Sequence, residues 1–372
     1  MKASYLFSRD RYGRPQVVAV LLLLAFAGQC LWLMSRRPLT ETEVSIVQQG
    51  RAQLQGGGMV DSAERSPLVY VLAALPTLRA SDWRWSARMP FLISGVLLAA
   101  SLWYVSRRLY GNAAGYIALT LYAFSPMTII HSANVRPEMV AAWGAFGCIF
   151  TGIAVAHTLY APREVVLWNW KRILLLGMAI GVGVGAQFAV IVTVVVTLGF
   201  MLYLVPQRRG AALTILGAAC AIGLAVIWMF YGFQPRALWE GVSNTQLGGW
   251  RPGQLSSVAT WRMLGTFFLH SSPGVVLLAL IAIVTYAAWP RTRFFGTTAP
   301  LLVSTLLLAL AVVLPRAAGS EFLVVALPFV LVFTAGVLVD LLESRQPALA
   351  LGVITAVLVA HAVYSVAGLL AH

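Results

Sequence analysis

The chain has 372 residues, of which 60% are hydrophobic and 10% are charged, and its mean hydropathy is +0.83. Soluble domains are roughly 45–50% apolar, so this composition excludes a soluble fold. The formal net charge of +14 would suggest nucleic-acid binding in a soluble protein. In a membrane protein, basic cytoplasmic loops explain such a charge, and no nucleic-acid partner is expected.

Apolar runs of about 20 residues, long enough to cross a bilayer, recur along the whole sequence. They predict an all-α polytopic membrane protein with a single integral membrane domain over residues 1–372 and about 11 transmembrane helices. The predicted spans are 17–35, 88–106, 113–130, 138–159, 173–186, 188–205, 211–232, 272–289, 297–314, 321–342 and 348–370.

The distribution of basic residues predicts the orientation. Lys2 and Arg9 are among the basic residues before the first span, which places the N-terminus in the cytoplasm. The apolar segment 67–78 has only about 12 residues and is too short to cross. If it does not cross, every cytoplasmic loop is basic, as the positive-inside rule requires. The sequence therefore predicts a multi-pass protein of the plasma (inner) membrane with its C-terminus outside.

Two long loops, 36–87 and 233–271, are then expected on the outer face, and the first should contain short interfacial helices. This first loop holds five of the twelve acidic residues: Glu41, Glu43, Asp61, Glu64 and Asp82. Charged groups near hydrocarbon are costly and are rarely kept there without a function. We therefore expect a chemical site at this membrane surface.

Glycines recur in the apolar stretch 173–205, which is predicted to form a tight hairpin of two helices near Gln187. They are Gly177, Gly181, Gly183 and Gly185. Small residues at this spacing allow helix backbones to approach closely. The glycines therefore predict close helix packing and not a ligand site.

Short motifs follow one another in a recognisable order. They are Thr40-Glu41-Thr42-Glu43, Arg65-Ser66-Pro67-Leu68, Ala87-Arg88, Arg107-Arg108-Leu109-Tyr110-Gly111, Ser125-Pro126, Arg136-Pro137-Glu138-Met139 and, near the other end, Arg316 with Glu321-Phe322. This order resembles the C-type membrane glycosyltransferases (GT-C fold), in particular the branch of protein O-mannosyltransferases and aminoarabinose transferases. The resemblance implies a GT-C-like fold and transfer of a sugar from a polyprenyl-phosphate carrier to an acceptor on the outer face.

The resemblance also implies roles for individual residues. The acceptor needs a general base, and the catalytic candidates are Glu43, Glu41 and Glu138. The carrier phosphate needs cationic donors, for which arginine offers a bidentate fork. The substrate-binding candidates are Arg65, Arg88, His131, Arg136 and Arg316. Membrane lipids and the lipid-linked sugar donor are the expected partners.

This sequence departs from the family pattern at four positions. Arg65 stands where the family usually has a Lys, and Glu138 stands where it often has an Asp. Thr42 stands where the family usually has the catalytic Asp, and Gln187 replaces a Lys often seen in the hairpin. The departure at Thr42 weakens the assignment of the base: Glu43 is the favoured candidate, and a one-residue gap in the motif would instead let Glu41 serve. Oxygen ligands from two outer loops could hold a divalent cation. No spacing in the chain specifies a metal site, so the cofactor is left open.

Each candidate residue also has a structural interpretation. The first-loop glutamates could be solvated, Arg65 and Arg88 could anchor helices at lipid headgroups, and His131 could cap a helix. Glu138 would be favourable at a helix N-terminus in any protein. A non-catalytic GT-C-like subunit that assembles with other membrane subunits is therefore the alternative function. A transporter is less favoured, because its charges would lie near the bilayer midplane.

Overall fold

The computed structural model describes residues 15–55, 66–80, 82–160, 170–243, 251–313, 316–344 and 346–371. Within these ranges the ordered elements are helices and no strand is present, which confirms the all-α prediction. The α-helices are α1 (Pro15–Arg36), α2 (Glu41–Leu54), α3 (Pro67–Ala74), α4 (Trp83–Ser86), α5 (Met89–Tyr110), α6 (Asn112–Ala123), α7 (Pro126–Ser132), α8 (Pro137–Thr158), α9 (Trp170–Ala186), α10 (Ile191–Leu204), α11 (Arg209–Phe230), α12 (Pro235–Ser243), α13 (Val258–Ser271), α14 (Pro273–Ala288), α15 (Phe295–Val313), α16 (Arg316–Leu342) and α17 (Pro347–Leu370).

Every predicted span contains a helix, but the predicted number of crossings is not confirmed. In the described ranges, seven helices are long and apolar enough to cross a membrane, or eight if the bent pair α6–α7 counts as one span. The others fall short because breaks divide the apolar stretches: α9 has 17 residues, α10 has 14 and α14 has 16.

The chain divides into two compact units. Unit I comprises 1–36, 95–133 and 250–372, and unit II comprises 37–94 and 134–249. The centre of unit I is α16, which packs against α6, α14, α15 and α17. Its side chains are buried almost continuously from Phe322 to Leu338, whichever way they point. Such a helix belongs to the interior of a bundle, because it has no polar face.

Unit II is built around α9, which packs against α8 on one side and α11 on the other. Glycines make both contacts. A Cβ at Gly177 would lie 2.7 Å from the Cβ of Ile222, and one at Gly181 would lie 2.8 Å from the Cβ of Val226. A Cβ at Gly183 would lie 3.1 Å from the backbone of Gly144 in α8. The prediction of close helix packing by these glycines is confirmed.

The predicted hairpin turn between α9 and α10 is also present. Helix α9 ends at Ala186, and Gln187 is extended, with φ −152° and ψ 109°. A short 3₁₀ turn, Phe188–Val190, then leads into α10. The chain therefore reverses where the sequence predicts it, at the residue that replaces the family's lysine.

The described part of the first long loop forms α2, α3 with its 3₁₀ extension Leu75–Leu78, and the short helix α4. Most of α3 is buried, because it packs against α2, α9 and α11. Its apolar character is thus explained by contacts within unit II. That these helices lie in the membrane interface, and that segment 67–78 does not cross, remain predictions.

Candidate active site

The first turn of α2 is fixed by a reciprocal cap. The Glu43 backbone N–H donates to the Thr40 Oγ1 at 3.3 Å, and the Thr40 backbone N–H donates to the Glu43 Oε2 at 2.9 Å. This capping box satisfies two donors at the helix start. It also turns the Glu43 side chain back towards the chain that enters the helix, where only 4% of the residue is exposed.

The buried Glu43 carboxylate is paired with Arg88, the residue immediately before α5. Arg88 donates from Nε to Oε1 at 2.9 Å and from Nη2 to Oε2 at 2.6 Å, which is a bidentate ion pair. The same guanidinium also donates to the carbonyls of Arg37 at 2.8 Å and Pro38 at 2.9 Å. Four N–H groups of Arg88 are thus engaged, and the residue is 1% exposed.

A third segment of unit II joins this pair. The backbone N–H of Val135, in the loop before α8, donates to Glu43 Oε1 at 2.9 Å. The Glu43 carboxylate therefore links the start of α2, the start of α5 and the loop before α8. We call the group Thr40, Glu43, Arg88 and Val135 the carboxylate clamp.

Glu43 is held in its charged form by these contacts. Burial alone would raise its pKa, but hydrogen bonds from Arg88, Thr40 and Val135, together with the Arg88 charge, outweigh burial, so the pKa of Glu43 is lowered. A carboxylate whose lone pairs already accept from an arginine and two backbone amides is poorly suited to take a proton from an acceptor. The geometry suits a positioning role better than that of a base.

The other two catalytic candidates have different surroundings. Glu41, in the first turn of α2, is exposed to solvent. Glu138, in the first turn of α8, is buried and lies 3.9 Å from Arg136, measured between Oε1 and Nη1. The Arg136 side chain is 49% exposed. Because Val135 and Glu138 are three residues apart, the carboxylate clamp brings the segment that bears Glu138 to the segment that bears Glu41.

For the remaining substrate-binding candidates, the described residues give no contact with the carboxylate clamp. Arg65 lies outside the described residues. Arg316 is the first residue of α16, and its side chain is not among those that the structure describes. His131 is part of α7 in unit I. Their proposed roles therefore remain predictions from the sequence.

A metal site has no support from the described residues: they contain no group of three or more His, Cys, Asp or Glu placed to hold an ion. The cofactor question stays open. Within the carboxylate clamp, the Glu43 oxygens are occupied by nitrogen donors and do not face an open coordination position.

Part of this arrangement is readable from the sequence. The spacing of Thr40 and Glu43 is the S/T-x-x-E pattern of a capping box, which marks Glu43 as a helix-start residue and not as a free loop acid. The pairing of Glu43 with Arg88 and with the Val135 amide depends on tertiary contacts across 45 and 92 positions. Nothing in the local pattern identifies Val135, because its contribution is a backbone N–H.

Residues 64–231 match the family described as dolichyl-phosphate-mannose-protein mannosyltransferase. The matched segment includes Arg88, Val135 and Glu138 but not α2. Comparison with curated protein sequences gives no match.

Solved structures share the fold over most of the chain. The oligosaccharyltransferase of Archaeoglobus fulgidus, in complex with zinc and sulfate, is 14% identical with a TM-score of 0.58, covering 94% of this chain and 53% of that one. The same organism's AglB, with an inhibitory peptide and a dolichol-phosphate, is 13% identical with a TM-score of 0.58, covering 94% and 55%. ArnT from Cupriavidus metallidurans, bound to undecaprenyl phosphate, is 15% identical with a TM-score of 0.54, covering 87% and 59%.

The chain thus spans little more than half the length of these structural relatives. Identities of 13–15% establish the fold and not the activity. The family match and the shared fold point to the same group of proteins as the motif order. The resemblance is confirmed: the chain has the GT-C fold of the C-type membrane glycosyltransferases.

Proposed function

We propose that the protein transfers a sugar from a polyprenyl-phosphate carrier to an acceptor on the outer membrane face. The family match over 64–231 supports a lipid-phosphate sugar as donor. Two proteins of similar fold hold dolichol-phosphate and undecaprenyl phosphate, respectively. The proposed orientation, with loops 36–87 and 233–271 outside, rests on the distribution of basic residues.

The observation that carries the proposal is the carboxylate clamp. A buried ion pair adds little net stability compared with apolar residues of similar size, so stability alone is weak grounds for its presence. What the clamp does is to fix three chain segments that bear polar groups, one of them exposed at Glu41 and another buried at Glu138. Both of these groups are carboxylates close in sequence to members of the clamp.

We assign the role of general base to Glu41. Its carboxylate is exposed, next to the fixed first turn of α2, and can reach an acceptor hydroxyl. Glu138 is the second acid of the proposed site, and Arg136 beside it, with a side chain 49% exposed, is the proposed phosphate-binding cation. The sequence also proposes Arg65, His131 and Arg316 as phosphate-binding residues. Arg88 positions Glu43 and has little capacity left for a phosphate.

The base assignment is tested by complementing a strain that lacks the protein with single Gln variants and measuring its glycans by mass spectrometry. Glu41→Gln should reduce transfer by about 100- to 10,000-fold, the loss typical of a missing general base, at unchanged protein level. Glu138→Gln should also reduce it. Glu240→Gln, at an exposed ion pair with Arg236 in the same unit, is the matched control and should complement fully.

Full complementation by both Glu41→Gln and Glu138→Gln would contradict the catalytic assignment. It would favour the second candidate function, a non-catalytic subunit with a GT-C-like fold. Two observations give that candidate specific support: Glu43 is fully engaged in the clamp, and Thr42 occupies the position of the family's usual Asp. A non-catalytic subunit should co-purify in fixed ratio with other membrane proteins.

A further inference from the structure

One predicted span, 113–130, is broken in the structure. Helix α6 ends at Ala123, α7 begins at Pro126, and the two are bent by 65°. Proline has no N–H, and its ring collides with the helical carbonyl four residues earlier, which here belongs to Tyr122. The break therefore deprives the last carbonyls of α6 of the N–H donors four residues later in the apolar interior of unit I, although the Tyr122 carbonyl still accepts from the Ser125 N–H at 3.2 Å.

Side chains from other parts of unit I take the place of two of these donors at the end of α6. Thr128 Oγ1, in α7, donates to the Tyr122 carbonyl at 2.7 Å. Gln29 Nε2, in α1, donates to the Ala123 carbonyl at 3.1 Å. Each is a local or long-range replacement for a bond that a continuous helix would make.

The third donor is His361, which is 1% exposed in α17. Its Nε2 lies 3.1 Å from the Leu121 carbonyl. Because a carbonyl can only accept, Nε2 must carry the hydrogen, which fixes the tautomer of a neutral ring. Gly274 makes this approach possible, since a Cβ there would lie 2.6 Å from the Cβ of His361.

We propose that the α6–α7 bend is a built-in, fixed feature of the fold, locked by Gln29, Thr128 and His361. Three consecutive carbonyls, from Leu121 to Ala123, are capped by three side chains from three helices. A buried carbonyl without a donor is costly, and more so away from water. Each cap therefore favours the bent arrangement over conformations in which α7 leaves its place. His361 acts here as a hydrogen-bond donor.

The chain carries a native reporter of the position of α7. Cys30 is 0% exposed, and its Sγ lies 3.8 Å from the Ile129 carbonyl in that helix. Displacement of α7 uncovers this thiol. Cys148, 1% exposed in unit II, reports on general loosening of the protein and serves as the internal reference.

The test measures alkylation of the purified full-length protein by N-ethylmaleimide in detergent, with each cysteine quantified by peptide mass spectrometry. Removing a cap in His361→Leu or Gln29→Leu should make Cys30 react about 10-fold faster, the scale of a lost hydrogen bond to a buried carbonyl, while Cys148 keeps its rate. His361→Gln places an amide N–H near the Nε2 position and should stay within about 2-fold of the unmodified protein.

His157→Leu is the matched control, because His157 is exposed at the end of α8. It should leave Cys30 protected. The proposal is overturned if Cys30 keeps its rate in both His361→Leu and Gln29→Leu, or if Cys148 accelerates together with Cys30. If His361→Leu does not accumulate in the membrane, Gln29→Leu decides by the same criteria.

Discussion

An Arg88→Met variant is expected to lose roughly 3–5 kcal/mol of stability, the usual cost of breaking a buried ion pair from one side. The substitution leaves the Glu43 carboxylate buried without its cation. It also removes the donors to the Arg37 and Pro38 carbonyls. Because the pKa of Glu43 is lowered in the folded protein, the contribution of the pair is present at neutral pH and is lost as the pH falls through that lowered pKa.

Thermal unfolding in detergent measures this effect. Arg84→Met is the control: Arg84 is 42% exposed and pairs with Asp82 at 3.6 Å, so its loss should change stability by less than about 0.5 kcal/mol. The double variant Glu43→Leu with Arg88→Met should be more stable than Arg88→Met alone, since no unpaired charge stays buried. Equal stability of Arg88→Met and Arg84→Met would show that the clamp does not hold unit II together.

The second large effect is expected for Gly144→Ala. A Cβ at this position would collide with the backbone of Gly183, which cannot move aside as a flexible side chain can. Helices α8 and α9 would have to separate, and overpacking of this kind costs about 1–3 kcal/mol or more. We expect the variant to be less stable even though alanine has a better helix propensity than glycine, because the steric cost is larger than the gain from propensity.

Gly217→Ala is the matched control for Gly144→Ala. Gly217 lies inside α11, and nothing stands within 4 Å of a Cβ built there. The same substitution should therefore raise stability by up to about 1 kcal/mol through helix propensity alone. If the two variants shift the unfolding temperature equally and in the same direction, the α8–α9 contact is not as close as the structure has it.

Local rules in the sequence account for much of the fold. The apolar runs predict where helices lie, and the glycines of α9 predict its close contacts, because both depend on the residues of one segment. The bend at Pro126 also follows from a local rule, since the α-helical conformation is disfavoured for the residue that precedes a proline. Treating 113–130 as one continuous span overlooked that signal.

The candidate site is only partly readable in this way. The capping box from Thr40 to Glu43 is a sequence pattern, but the partners of Glu43 come from segments far along the chain. Whether an acid is exposed, like Glu41, or enclosed, like Glu43, depends on that tertiary arrangement. This is why the sequence favoured Glu43 as the base, while the geometry favours Glu41.

Binding of the lipid carrier is the most direct test of the central proposal. The purified protein is mixed with undecaprenyl phosphate or with undecaprenol, the same lipid without phosphate, and complexes are quantified by native mass spectrometry. We expect retention of the phosphate form alone, and weaker retention in Arg136→Ala than in Arg236→Ala, an exposed arginine outside the proposed site. Equal retention of both lipids, or of neither, would contradict a polyprenyl-phosphate-dependent function.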